Sequence, residues 1–451
     1  MYLAINILGL LLFIGLGWVF SHDRKKIDWA SVGIMVVLNL LIAWLLTSFE
    51  WGRIAVQDAA NGFTWLVSVA DKGISFAFGW WALPDKGSVT FIVSALLPIL
   101  LVVPLFDILT YIGILPWIIK WIGRGLSFIT RQPRFETFFA VEMMFLGNTE
   151  ALAVSKIQLQ KMKPARTVVI GLMSMSCVTA AILASYIQMV PGQFVLTAVP
   201  LNCINALIIA NMLYPADVHA DEDIIYHIGD EDKTVAELIA DEKREKEERA
   251  IVRQCKKEGK PIPSDIEYKP WYKKMFSKDP HKAKKEPFFS FLGDSILSAG
   301  KLILIIIANV IAFVALAGLI DKVLGAIWKP LSLESILGVV MYIPALLLGL
   351  PPHTAWAMSQ LMGLKLVTNE FVVMGQVSST IATFAPHYKA VLTVFLTSFA
   401  NFGTLGMIIG AFKGLVNKEK NDLMSQNVGR MLISGILVSL LSAAMVGIFV
   451  W

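Results

Sequence analysis

Two short polar groups, Gly147-Asn148-Thr149-Glu150 and Thr368-Asn369-Glu370-Phe371, interrupt otherwise apolar stretches of the chain. Each sets a carboxylate beside or near a carboxamide. A carboxylate at membrane depth costs about 3 kcal/mol on insertion scales, so two with the same polar company point to a site that a polar solute visits. A third patch, Phe399-Ala400-Asn401-Phe402-Gly403-Thr404, lies inside the apolar run Val391–Phe412. There Asn401, Gly403 and Thr404 favour a local opening of the helix, and Phe399 and Phe402 offer flat apolar faces. An amide, a hydroxyl and an aromatic face together suit a ring-bearing polar solute. Each patch also has a purely structural reading: a carboxylate satisfied by a neighbouring helix, or small residues at a packed interface. Asp107 is either structural or faces a cavity, and Lys365 is placed to pair with Glu370 or Glu150.

The elements that must hold these groups are set by composition. The chain has 451 residues, of which 56% are hydrophobic and 16% charged, with a mean hydropathy of +0.67. Soluble domains carry about 25% charged residues, so this is an integral membrane protein. Its fold class is all-α, because helices satisfy every backbone group within one segment. Cys177, Cys203 and Cys255 are spaced for neither a disulfide framework nor a metal site. Walker, HExxH and GxSxG patterns are absent from the sequence, which leaves ATP-driven transport and familiar hydrolase chemistry without support.

Apolar stretches long enough to cross the bilayer are Met1–Phe20, Ala30–Ser48, Phe91–Leu115, Thr167–Val190, Phe194–Leu213, Leu302–Ile320, Val391–Phe412 and Leu432–Val450. Basic residues follow the first stretch (His22, Arg24, Lys25, Lys26) and none precedes it, so it reads as a retained span with its N-terminus outside. The basic loops then fall inside. Outer connections carry scattered bases such as Arg53, Lys72, Lys86, Lys322 and Lys329.

Two apolar regions fit no full crossing. Phe135–Ser155 contains Glu136, Glu142 and Glu150, too many acids for a lipid-facing helix, and Leu331–Gly375 is broken by Pro344, Gly349, Pro351, Pro352 and Gly363. Irregular backbone at this depth must be buried or line a wet cavity. Both regions are therefore expected to be re-entrant helical hairpins, and each contains one of the polar groups. Each hairpin precedes two crossings and the two open to opposite sides, the pattern of inverted repeats. Leu115–Phe128, with Trp117, Lys120, Trp121 and Arg124, reads as an interfacial helix. The expected organisation is 1–128 scaffold spans and interfacial helix, 129–216 first hairpin with two spans, 217–290 charged loop, 291–330 a scaffold span, and 331–451 second hairpin with two spans. The charged loop reads as solvated and cytoplasmic, helical around Val235–Gln254, and Lys269–Lys285 as a contact with anionic headgroups.

Three motifs carry a resemblance to a known family. Gly147-Asn148-Thr149-Glu150-Ala151 resembles the Gly-Gln-Thr/Ser-Glu motif of concentrative nucleoside transporters. Lys365 to Val372 (KLVTNEFV) is similar to their Lys-Leu-x-x-Asn-Glu-Phe-Val signature, and Ser398 to Gly406 (SFANFGTLG) to their Phe-Ala-Asn-Phe-Gly/Ser-Ser stretch. The resemblance covers nearly the whole chain. It implies a homotrimer in the bacterial plasma membrane, with alternating access in each subunit. It also implies that Asn148, Thr149 and Glu150 face a nucleobase, that Glu370 and Asn401 bind ribose hydroxyls, and that Phe399 and Thr404 lie nearby. The partners implied are a nucleoside and the bilayer, with no nucleic acid and no cofactor.

Two departures bear on specificity. Asn148 stands where family members usually have Gln, which opens the expectation of a purine substrate. Met143 stands where sodium-coupled members place Asn, five residues earlier, and a thioether is a poor ligand for a hard cation. A proton gradient is thus preferred to sodium as the driving force. Apolar surroundings favour the neutral carboxyl, so Glu150 and Glu370 are the candidate proton carriers. Sodium-driven import, an intramembrane acid–base enzyme using the same two glutamates, and a nucleoside sensor signalling through the long loop are the competing readings.

Overall fold

The computed structural model describes residues 1–78, 92–218, 222–226, 235–258, 287–329 and 331–451. Lys86, Phe91 at the start of the expected third crossing, and the stretch Lys269–Lys285 lie outside these residues. All regular structure among the described residues is helical. Helices α1 (Tyr2–Val19) and α2 (Trp29–Thr47) are long and apolar enough to cross a membrane. Asp28 starts α2 by accepting from the amides of Ala30 (3.1 Å) and Ser31 (3.2 Å), which satisfies donors that a helix start leaves open.

The next element was not expected. Residues read as an outer connection form α3 (Glu50–Phe78), a 29-residue helix. It buries Val56, Ala60, Val67, Ala70 and Ile74 along one face and exposes Arg53, Asp58, Asp71 and Lys72. The polar residues between the buried positions lower its average hydropathy, so a test for apolar runs passes it over. An amphipathic period remains, and that is what forms the helix.

Helix α4 (Ile99–Ile112) ends at Gly113, whose φ of 95° reverses the chain into α5 (Ile114–Thr130) with a bend of 76°. The third crossing therefore stops three residues before Leu115. Helix α5 covers the segment read as interfacial and exposes Trp117 and Trp121, with the Arg124 guanidinium 5.7 Å from the Trp121 ring centre. There follow α6 (Arg134–Leu146), α7 (Asn148–Val154), α8 (Lys156–Lys161), α9 (Pro164–Met173), α10 (Ala180–Met189) and α11 (Gly192–Leu213). The charged helix α12 (Val235–Glu258) precedes α13 (Phe288–Ile327), whose 40 residues span roughly 60 Å, about twice the hydrocarbon core. The chain closes with α14 (Leu333–Leu347), α15 (Pro352–Val367), α16 (Glu370–Val377), α17 (Pro386–Leu396), α18 (Phe402–Leu415), α19 (Lys418–Gln426) and α20 (Val428–Gly447).

Five expected crossings are continuous helices, namely α1, α2, α11, α13 and α20. Two others are each a pair of short helices: Thr167–Val190 breaks between α9 and α10, and Val391–Phe412 between α17 and α18. The second break falls at Asn401, where the sequence led us to expect an opening; the first was not expected, because summed hydropathy does not register a few residues that leave the helix. The second irregular region also differs from a simple two-helix hairpin, because it holds three helices. Pro351 and Pro352 form the start of α15, where a missing amide costs nothing. The break that matters falls later, at Thr368-Asn369, between α15 and α16.

Helices α11 and α20 form the centre, with 78% and 67% of their apolar windows buried, against 11% for α13. Asparagines tie the bundle together. Asn6 Nδ2 donates to Ala444 O (3.0 Å), Asn39 Nδ2 to Leu201 O (3.0 Å) and Asn205 Nδ2 to Ser442 Oγ (2.9 Å), the polar contacts that hold helices together where lipid is as apolar as leucine.

Candidate functional site

The two polar groups and the third patch all fall at helix breaks. Gly147 separates α6 from α7 with φ 88°, and an added Cβ there would lie 2.8 Å from Thr179 Cβ, so only glycine makes this turn without strain. Asn369, in extended conformation, caps α16 by accepting from Val372 N (3.0 Å). Asn401 does the same for α18, accepting from Thr404 N (2.8 Å). In both caps the carbonyl oxygen of the amide is engaged, which leaves the Nδ2 group free to face elsewhere.

Asn401 turns that group to Glu370, with Nδ2 3.1 Å from Oε2. The other oxygen, Oε1, accepts from the Tyr186 hydroxyl on α10 at 2.9 Å. Glu370 and Asn401 are each 3% exposed and Tyr186 is fully buried. Hydrogen bonds to a charged acceptor contribute about 1.5–3 kcal/mol each, and leaving a buried carboxylate without them is far costlier. Glu150 is the opposite case. It is exposed, and among the described residues it carries no hydrogen bond or ion pair.

These groups converge on one cavity of about 860 Å³ including its open mouth, lined by Asn148, Glu150, Asn369, Glu370, Phe399, Asn401 and Thr404. The α13 face of the cavity is apolar (Leu302, Ile305, Ile306, Phe313) apart from Asn309. An apolar enclosure with a few convergent polar groups is the usual make-up of a small-molecule site. Of the seven residues singled out in the sequence, six line this space. The backbone of Thr149 belongs to the first turn of α7, and its side chain is not among the described atoms. Asn148 is half engaged: its Nδ2 donates to Ser174 O at 2.5 Å, while its Oδ1 is buried without a partner.

Two sequence expectations need correction. Phe402 does not face the solute space with Phe399; it is 44% exposed and outside the cavity lining. Lys365 makes no ion pair with Glu370 or Glu150, and its ammonium donates instead to Phe395 O and Ser398 Oγ, both at 2.7 Å. The other two acids of the first irregular region are buried away from lipid: Glu136 forms a two-point pair with Arg166 (2.7 Å at each oxygen) and Glu142 accepts from Ser155 Oγ (3.1 Å). Asp107 accepts from Ser295 Oγ and lines a smaller side cavity that Glu150 and Thr179 also border. Tyr186 and Asn309 were missed. Asn309 had a visible signal, as the one amide within the apolar run Leu302–Ile320. Tyr186 had none, since nothing local marks a tyrosine in an apolar span as facing a glutamate.

An all-helical chain with apolar spans, two of them broken beside a polar cavity, has the make-up of a membrane transporter. Family comparison agrees along most of its length: residues 8–81 match the model "Na+ dependent nucleoside transporter N-terminus" and residues 194–447 its C-terminus counterpart. The chain is 41% identical over 451 residues to the "Purine nucleoside transport protein NupG" of Bacillus subtilis, covering 100% of both chains. It is 25% identical to the "Nucleoside permease NupC" of Helicobacter pylori, covering 99% of this chain and 97% of that one. The solved structure of CNTnw in an inward-facing substrate-bound state superposes with a TM-score of 0.80 at 21% identity, covering 100% of this chain and 98% of the other. An outward-facing form of CNTnw gives 0.81 at 21% identity, with the same coverage. The chain belongs to the concentrative nucleoside transporter family. It is a multi-pass nucleoside transporter, not an enzyme.

Proposed function

We propose that the protein is a secondary active importer of purine nucleosides in the bacterial plasma membrane, working by alternating access as a proton symporter. The observation that carries this reading is the Glu370–Asn401 pair at 3.1 Å inside the shared cavity. Neighbouring ribose hydroxyls each donate and accept, and a carboxylate beside a carboxamide offers both. Phe399 and Thr404 flank that pair. Asn148, Thr149 and Glu150 take the base, and the unpartnered Oδ1 of Asn148 supports an added donor there. The 41% identical relative named as a purine nucleoside transporter supports the purine preference.

Proton coupling rests on Met143, fully buried where a hard cation would want oxygen, and on Glu150 and Glu370 as carriers. Sodium coupling is the second reading, favoured by the family description, which names sodium dependence. In our reading α6–α8 and α15–α16 are re-entrant hairpins in two inverted repeats, eight crossings complete the fold, and α5 lies at the inner interface. The loop after α11 is cytoplasmic, and segments 129–216 and 331–451 move against a scaffold of 1–128 and 291–330. The exposed α13 supports a homotrimer, in which the helix meets other copies.

The test is uptake of labelled adenosine, guanosine and uridine into proteoliposomes under separate proton and sodium gradients. Accumulation of the two purines driven by protons is expected. Uptake that follows sodium at fixed pH overturns the coupling, and chemically altered or unaccumulated solute overturns import.

A further inference from the structure

Lys365 is fully buried, and among the described residues its ammonium makes no ion pair. What it does contact is the place where the span following its own hairpin comes apart. Helix α17 ends at Leu396, and Thr397 leaves the helix with φ −76° and ψ 60°. In an unbroken helix Phe395 O would accept from the amide four residues on, at Phe399. With the helix broken, that carbonyl loses its partner, and Lys365 Nζ takes it at 2.7 Å. The same ammonium donates to Ser398 Oγ at 2.7 Å, and that hydroxyl lies 2.5 Å from Ser439 Oγ on α20. Its charge also sits 4.5 Å from the Phe395 ring centre, a favourable distance for a cation over an aromatic face. Directly after this segment come Phe399 and Asn401, both in the cavity lining.

We infer that Lys365 is a positioning residue: its ammonium substitutes for the missing helix amide and holds the break between α17 and α18 in the shape that sets Phe399 and Asn401 for the sugar. The other half of the molecule solves the same problem with a neutral group. There Asn148 Nδ2 donates to Ser174 O, where α9 breaks before α10. Each broken span is thus capped from the hairpin region that precedes it. In the second half the cap is a lysine amine, and the backbone it fixes carries the sugar-facing pair. The inference rests on the nucleoside reading for what the cavity holds; the capping role itself does not.

The experiment compares wild type, Lys365→Met and Ser398→Ala in proteoliposomes, with a ribonucleoside and its 2′,3′-dideoxy analogue as substrates. Hydrogen–deuterium exchange of residues 397–404 is measured in the same preparations. Lys365→Met leaves Phe395 O with only the long contact from Ser398 Oγ (3.5 Å) and is expected to raise KM for the ribonucleoside about tenfold while changing KM for the dideoxy analogue little, with faster exchange across the break. Ser398→Ala removes one partner and keeps the charge, and should shift the same ratio by about threefold. A loss of Vmax with both KM values and the exchange rate unchanged overturns the positioning role. If Lys365→Met does not assemble, an unchanged ratio and unchanged exchange in Ser398→Ala overturn it equally. Wild-type protein that takes up no nucleoside would remove the function proposed above, and the exchange of 397–404 would still decide the capping role.

Discussion

The Tyr186 hydroxyl on α10 donates to Glu370 Oε1 on α16 at 2.9 Å, joining residues 184 positions apart. The contact links the two halves of the molecule at the buried carboxylate of the cavity. The Tyr186 ring also stands edge-on to Phe371 with centres 4.9 Å apart, so the hydroxyl is held in place by packing on its own ring.

Tyr186→Phe keeps that packing and deletes the donor. Glu370 then retains only Asn401 as a side-chain donor, and loss of one hydrogen bond to a charged group should weaken nucleoside binding about tenfold. Uptake kinetics over a substrate range measure this as a raised KM. An unaltered KM would show that Oε1 finds water or substrate instead.

Glu370→Gln keeps the shape and adds a donor where Tyr186 and Asn401 already donate. One oxygen acceptor is replaced by an NH2 group facing a donor, so accumulation should be lost while the protein still extracts as one monodisperse species. Gradient-driven uptake together with size-exclusion chromatography reads both parts. Normal accumulation would falsify the role assigned to Glu370.

Asn148→Gln lengthens the amide by one methylene. The 2.5 Å bond to Ser174 O must be remade or given up, and the amide oxygen reaches further into the cavity. Competition of uridine against labelled adenosine should shift toward the pyrimidine by about three- to tenfold, the worth of roughly one neutral hydrogen bond. Identical competition curves in the two proteins would separate base choice from this position.

Glu136 and Arg166 form a two-point ion pair with each side chain 2% exposed. Arg166 Nη1 also donates to Glu222 O (2.8 Å), and Lys163 Nζ lies 2.5 Å from Glu222 Oε1. Removing one partner strands a buried charge, a loss of about 3–5 kcal/mol. Arg166→Met should therefore unfold several degrees earlier in a thermal melt. The double variant Glu136→Met with Arg166→Met should regain most of that loss, because no unpaired charge remains. Equal melting of single and double variants would argue that the arginine acts through Glu222 alone.

What the sequence determined by itself was chemistry and order along the chain. Hydropathy marked the continuous crossings α1, α2, α11, α13 and α20, since a run of apolar residues has few other places to go. The carboxylates and amides of the three patches stood out because their desolvation is costly, and that cost is a property of residue type. The motifs around Glu150, Glu370 and Asn401 pointed to the family by their resemblance to its patterns, in the same order along the chain. A search for apolar runs could not reveal α3, whose buried face is diluted by the polar residues between Val56 and Ile74, nor the break within Thr167–Val190. Partner choice was the work of the tertiary structure. It gave Lys365 to a backbone carbonyl rather than to Glu370, set Tyr186 against Glu370, and placed Glu150 at the cavity without a hydrogen bond among the described residues while Glu136 went to Arg166. A charged group takes whichever partner lies within hydrogen-bond reach, and for a buried group that is decided by helices distant in sequence.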